Sequence, residues 1–139
     1  MDPLEGIWRL VESRAWDEQG NVLPAPYGAH PLGQISFAHG RMLAALCNGD
    51  AMVGSNAPRA FSAYGGVYTF DGTTLIVDVD IASDPRRAGG RQTRGVVMTA
   101  GRMTLHPPER DYGRRRERRE LVWERVWRAA GCLNDPDRP

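Results

Sequence analysis

At 139 residues the chain is long enough for one domain with its own core and leaves little room for a second. Its 41% hydrophobic and 25% charged residues are ordinary for a globular protein that needs no metal or disulfide for stability. All 18 basic residues are arginine, which reads as codon usage, and a net charge of +1 excludes a global field that would draw in a phosphate backbone.

The predicted elements follow from short runs that alternate apolar with polar residues, each closed by turn chemistry. The first strand covers 6–16 and ends in the turn Asp17-Glu18-Gln19-Gly20-Asn21. A connection over 23–32 carries Pro24, Pro26 and Pro31, which bar it from a helix interior or a central strand. A strand at 33–38 turns tightly at His39-Gly40 into a strand at 42–48. A Gly/Asn/Pro loop fills 49–58. Strands at 59–70 and 74–81 flank the turn Asp71-Gly72, and a second loop spans 82–90. Strands at 91–99 and 102–106 flank Ala100-Gly101, a polar loop covers 107–118, and the last strand is 119–127. That last run also fits a helical stripe through Leu121, Val122, Trp123, Val126 and Trp127, but its place after a series of hairpins favours a strand.

Eight strands joined by short connections form an up-and-down meander, and closing it into a barrel removes the exposed edges. The expected fold is therefore all-β, an eight-stranded antiparallel up-and-down β-barrel over residues 1–128 with a flexible C-terminal tail at 129–139. A barrel of this size encloses one small ligand or is filled by side chains.

Several of these runs resemble the bacterial lipocalin-like domain proteins of the calycin type. The likeness spans roughly residues 5–127. It lies in Gly6-Ile7-Trp8-Arg9-Leu10-Val11, with the family's Gly-x-Trp opening, and in Pro31-Leu32-Gly33-Gln34-Ile35 followed by His39-Gly40-Arg41-Met42. It continues in Ala63-Tyr64-Gly65-Gly66-Val67-Tyr68, in Gln92-Thr93-Arg94 with Arg102-Met103-Thr104-Leu105, and in Leu121-Val122-Trp123-Glu124-Arg125-Val126. Order and spacing together carry the resemblance. It implies a lipocalin-like barrel and no defined activity. The chain departs from its relatives in a shorter connection after the third strand. It also has Asp78 and Asp80 where a His-rich stretch is expected, so chemistry tied to that stretch does not carry over.

Period-2 alternation assigns faces. Val96, Met98, Arg94 and Gln92 share an inward face; so do Tyr64, Gly66, Tyr68 and Phe70. Met103 and Leu105 point in, as do Leu75, Val77, Val79 and Ile81, which puts Asp78 and Asp80 outside. On the first strand Trp8 and Leu10 share a face with Glu12, Arg14 and Trp16. The candidate ligand-binding residues are thus Arg94, Gln92, Tyr64, Tyr68, Val96, Met98 and Leu10. Arg94 would anchor an oxyanion through its planar fork of donors, or else pair with Glu12 or lie exposed at a strand end. Tyr64 and Tyr68 would offer hydroxyls to a ligand or pack in the core. Closing the barrel sets Arg125 over the Trp8 ring.

No phosphate loop or nucleophile signature is present, and His30, His39 and His106 have no metal spacing, so neither cofactor nor metal is expected. Cys47 and Cys132 read as ordinary thiols in a reducing compartment. The start at Met1-Asp2-Pro3-Leu4-Glu5 lacks a signal peptide and no run approaches ~18 apolar residues, so the expected location is cytoplasmic and away from membranes. The leading expectation is a binder of one small hydrophobic molecule, in its sharper form one with an acid group. The alternative is a cofactor-free isomerase, cyclase, lyase or hydratase using Tyr64, Tyr68, Arg94 and Asp78 or Glu12 as catalytic residues on a small hydrophobic or aromatic substrate. A third is an interaction module built on the arginine run at 114–119, which lacks the interleaved aromatics of a nucleic-acid surface. A homodimer is left open.

Overall fold

The computed structural model describes residues 2–54, 59–107, 110–112 and 115–128, with 110–112 and 115 as backbone only. The strands are β1 (Gly6–Asp17), β2 (Val22–Leu23), β3 (Pro31–Ala38), β4 (Arg41–Asn48), β5 (Phe61–Phe70), β6 (Thr74–Ala82), β7 (Arg91–Thr99), β8 (Arg102–His106), β9 (Arg110–Tyr112) and β10 (Arg115–Arg128). Eight of them form a closed antiparallel barrel, in the order β1-β3-β4-β5-β6-β7-β8-β10, with β10 returning to pair with β1. The two short strands extend it: β2 pairs with β1 and β9 with β10. Among the described residues no helix is long and apolar enough to cross a membrane.

The expected polar loop at 107–118 is corrected: β9 and the start of β10 lie within it. β1 runs on to Asp17 and offers a partner there, pairing Trp16 with Arg118 and Asp17 with Glu117. A charged run becomes strand when a paired edge is available, and the Arg118 guanidinium lies 4.7 Å over the Trp16 ring. The tail at 129–139, with Cys132, lies outside the described residues.

Two of the three register shifts reset the faces of residues expected to point inward. On β1 the pairing with β10 slips between Leu10 and Glu12. The buried set therefore changes from Gly6, Trp8 and Leu10 to Ser13 and Ala15, and Glu12 and Arg14 turn outward. Glu12 then binds its own neighbour, accepting from Arg14 Nε and Nη2 at 2.6 Å each, rather than pairing with Arg94. Between β5 and β6 the register shifts at Gly65/Gly66, with Asp80 as the extra residue. Past it the parity of β6 inverts, so Ile81 is 55% exposed instead of facing in.

That second bulge needs glycine. A Cβ on Gly66 would stand 1.9 Å from the Asp78 carbonyl oxygen, a backbone atom that cannot swing aside. Gly66→Ala is expected to cost about 2 kcal/mol, the usual scale of overpacking, read as a lower urea midpoint with unchanged m. An unchanged midpoint would mean that the two strands separate freely there.

The chain direction of the strands puts the tight turns 39–40, 71–73 and 100–101 at one end, with the N-terminal segment. This end is solid. Trp8, Ile35, Phe37, Leu75, Val77 and Met103 are at most 1% exposed, and Leu4, also fully buried, joins them from the N-terminal segment. Trp8 Nε1 donates to the Leu4 carbonyl at 2.9 Å. The Arg125 guanidinium lies 4.1 Å over the Trp8 ring and donates to the carbonyls of Glu5 and Pro3 at 3.2 and 2.7 Å. The N-terminal segment is thus tied across the barrel end as a plug.

Candidate functional site

The longer connections at 18–30 and 83–90, and the described parts of 49–60, fall at the other end, with β9. There the barrel holds a cavity of about 520 Å³, within the range of sites for small organic ligands. Leu46, Leu105, Leu121 and Trp123 supply its apolar surface, and Tyr64, Gln92 and Arg94 line it from β5 and β7. Tyr27, Phe61, Arg86, Arg87 and Arg119 come from loops and strand beginnings.

Arg87 owes its position to a single helical turn, Pro85–Arg87. Asp84 caps it, its Oδ1 accepting the Arg86 N–H at 3.1 Å, and Pro85 sits at the first position, as such a turn favours. The same carboxylate holds the Arg86 side chain at 3.0 Å from Nε and from Nη2. Arg87 lies against the barrel: its guanidinium lies 4.5 Å over the Tyr64 ring, Nη1 donates to Ser62 Oγ at 3.1 Å, and Nη2 donates to Gln92 Oε1.

Gln92 is thereby oriented through its oxygen, and its Nε2 is left. That nitrogen is buried and has no hydrogen-bond partner among the described residues; neither does the Trp123 indole nitrogen. The Gln92 side chain beside the Tyr64 hydroxyl favours its ionised form. A buried donor with no acceptor costs roughly 1–3 kcal/mol, which marks both groups as unusual.

Burial pushes the Tyr64 hydroxyl above the ordinary tyrosine pKa, opposed by the nearby Arg94 and Arg87 guanidinia. Tyr64 is therefore a neutral donor at physiological pH. Because the folded pKa is raised, the corresponding stability is complete below pH ~10 and is lost as pH climbs through the folded value. Tyr64→Phe is expected to flatten the fall in stability above pH ~10, measured by urea unfolding across pH 8–12. An undiminished alkaline fall would place the responsible tyrosine elsewhere.

Arg94 is half-buried, with Nη1 donating to the Thr93 carbonyl at 2.8 Å. Arg119, on β10, has Nε 3.1 Å from Glu117 Oε2. The one carboxylate among the described lining residues is Asp84, which is engaged by Arg86. The wall is thus rich in donors and positive charge.

Of the residues expected at a site, the structure brings Arg94, Gln92 and Tyr64 together. Tyr68 takes the second of its two expected roles, packing in the core: it faces inward at the closed end, lies edge-on to Phe37 with ring centres 5.0 Å apart, and donates to Asp2. Leu10 and Val96 are buried in the core and Met98 packs on it, away from the cavity lining. Asp78 faces solvent, 2.9 Å from Arg91 Nε, and Asp80 likewise meets Arg41 at 2.8 Å. With Glu12 also outward, neither proposed acid–base carboxylate reaches the cavity. Of the arginine run, Arg114 lies outside the described residues.

A barrel plugged at one end and hollow at the other, with apolar walls and a few placed polar groups, has the architecture of small-ligand-binding β-barrels. The family model of the lipocalin-like domain matches residues 5–128, and the chain belongs to that family. A comparison with curated proteins finds no match. Among solved structures, an uncharacterized protein from Bacteroides eggerthii DSM 20697 is similar at 14% identity and a TM-score of 0.45, over 88% of this chain and 98% of that one. That likeness is too distant to bear on function.

Proposed function

We propose that the chain binds one small, mostly apolar organic anion in the open-end cavity. The observation that carries this is the lining: apolar side chains below and four arginines around them, with Asp84, held by Arg86, as the one carboxylate among the described lining residues. A guanidinium facing a low-dielectric pocket attracts an oxyanion more strongly than one in water, and its fork matches a carboxylate. The family is consistent with small-molecule binding. Asp84, the one carboxylate among the described lining residues, is engaged by Arg86 and held below the usual carboxylate range by it, which makes it a weak base.

Titration with the anionic fluorophore 1-anilinonaphthalene-8-sulfonate tests the proposal. One molecule should bind per chain, and arylalkanoic acids should displace it while their primary amides do not. Equal displacement by acids and amides would remove the anion from the proposal; no saturable binding would remove the ligand.

A further inference from the structure

We infer that the outer face of β3, β4, β5 and β6 receives a second copy of this chain, giving a two-fold dimer; the inference stands apart from the cavity and its ligand. An antiparallel strand with one face on the core ordinarily turns polar residues outward. β8 does so with Arg102, Thr104 and His106. β4 and β5 do not. The outward residues of β4 after Arg41 are Leu43, Ala45 and Cys47, and those of β5 as far as Val67 are Phe61, Ala63 and Gly65.

The register lines these residues up in rows across the strands. One row holds Leu32, Cys47 and Phe61, and another holds Leu43, Gly65 and Ile81. Between them Ala45 sits opposite Ala63. The outer rows stand up as two ridges, with Leu43 leaning over the bare Gly65 backbone, and the alanines leave a trough between. Phe61, at the cavity rim, is 62% exposed, Leu32 58% and Leu43 53%; Ile81 and Val67 are about half exposed. These five side chains expose roughly 500 Å² of apolar surface, at the upper end of what a lone soluble chain leaves bare.

Shape and charge choose the partner. A two-fold interface uses the same patch on both copies, so the patch must fit itself. A trough flanked by ridges does, because a ridge of one copy enters the trough of the other. The charges at its edge are matched within the chain, Arg41 with Asp80 and Asp78 with Arg91. The face therefore offers nothing to a strongly charged partner and sets no unmatched like charges against each other when it meets itself. With the alanines, Cys47 and this rim, the area reaches the ~800 Å² per partner of a standard interface.

An interface of this size gives a dissociation constant of about micromolar or below, so sedimentation equilibrium between about 1 and 100 µM tests the dimer. Wild type should sediment at twice the mass of one chain at the upper concentration. Ala45→Glu puts a carboxylate in each trough, where the partner's ridge buries it, and should raise the dissociation constant at least about a hundredfold. Ile81→Lys, on a ridge, should do the same and serves if Ala45→Glu fails to fold, which far-UV circular dichroism reads. Thr99→Glu, exposed on β7 near the closed end, should leave dissociation within about threefold, as surface changes away from an interface do. A monomer at every concentration gives the face to another occupant and overturns the proposal. A dimer that survives both Ala45→Glu and Ile81→Lys, or is lost equally with Thr99→Glu, is built elsewhere and overturns it too. So does association beyond two copies, which a closed two-fold forbids.

Discussion

Trp8→Ala is expected to lower stability by about 3–5 kcal/mol, the range for removing a buried large aromatic side chain. For a chain of this length that is a fall of about 10–20 °C in melting temperature. The expectation rests on what Trp8 holds. It is fully buried, its indole N–H fastens the Leu4 carbonyl, and its ring supports Arg125, which in turn grips Pro3 and Glu5. Removing the ring opens a cavity and loosens the plug together. Arg125→Met should cost less, about 1–2 kcal/mol, because packing against the ring survives and the cation–π contact with the carbonyl bonds is lost. Chemical unfolding of both variants checks this. A Trp8→Ala loss below 1 kcal/mol would mean that the N-terminal segment does not seal the barrel. Below its melting point Trp8→Ala should still bind the anionic fluorophore within about twofold of wild type, since the cavity lies at the opposite end.

Arg94→Leu should do the reverse. It keeps apolar volume on β7 and removes the guanidinium, so stability should stay within about 1 kcal/mol. Affinity for 1-anilinonaphthalene-8-sulfonate should fall about 10- to 30-fold, or roughly 1.4–2 kcal/mol. N-phenyl-1-naphthylamine, which has the same aromatic body without the sulfonate, should change by no more than about twofold. Equal losses for both would reduce Arg94 to a packing residue. The effect should shrink only modestly between 50 and 300 mM salt, because a half-buried pair is screened less than an exposed one.

How far the sequence reaches is clear at particular residues. β7 and β8 are legible to the residue, because Ala100-Gly101 closes a regular hairpin whose alternation is unbroken. β1 is not: Gly6-to-Trp16 alternates in the sequence, yet a bulge placed by its pairing with β10, at the far end of the chain, turns Glu12 and Arg14 outward. The same holds for Ile81, where the bulge depends on Gly66 meeting the Asp78 backbone. For the site, alternation put Arg94, Gln92 and Tyr64 on an inward face. It could not say how deep along the barrel a residue lies, so Tyr68 shares Tyr64's face and sits at the plugged end. Arg87 was missed because it belongs to a connection, although Asp84-Pro85 is a recognisable start for a capped turn. Trp123 was noted only as an apolar strand residue; that its N–H goes unpaired depends on what surrounds it in three dimensions.

A crystal structure grown with 1-anilinonaphthalene-8-sulfonate decides whether the open end holds one organic anion among these arginines. Density for a single molecule is expected inside the barrel, its rings against Leu105 and Leu121 and its sulfonate within hydrogen-bonding distance of Arg94 or Arg119. Fluorophore found only on the outer faces of the sheet, or a cavity closed by the protein's own side chains at saturating fluorophore, would contradict it.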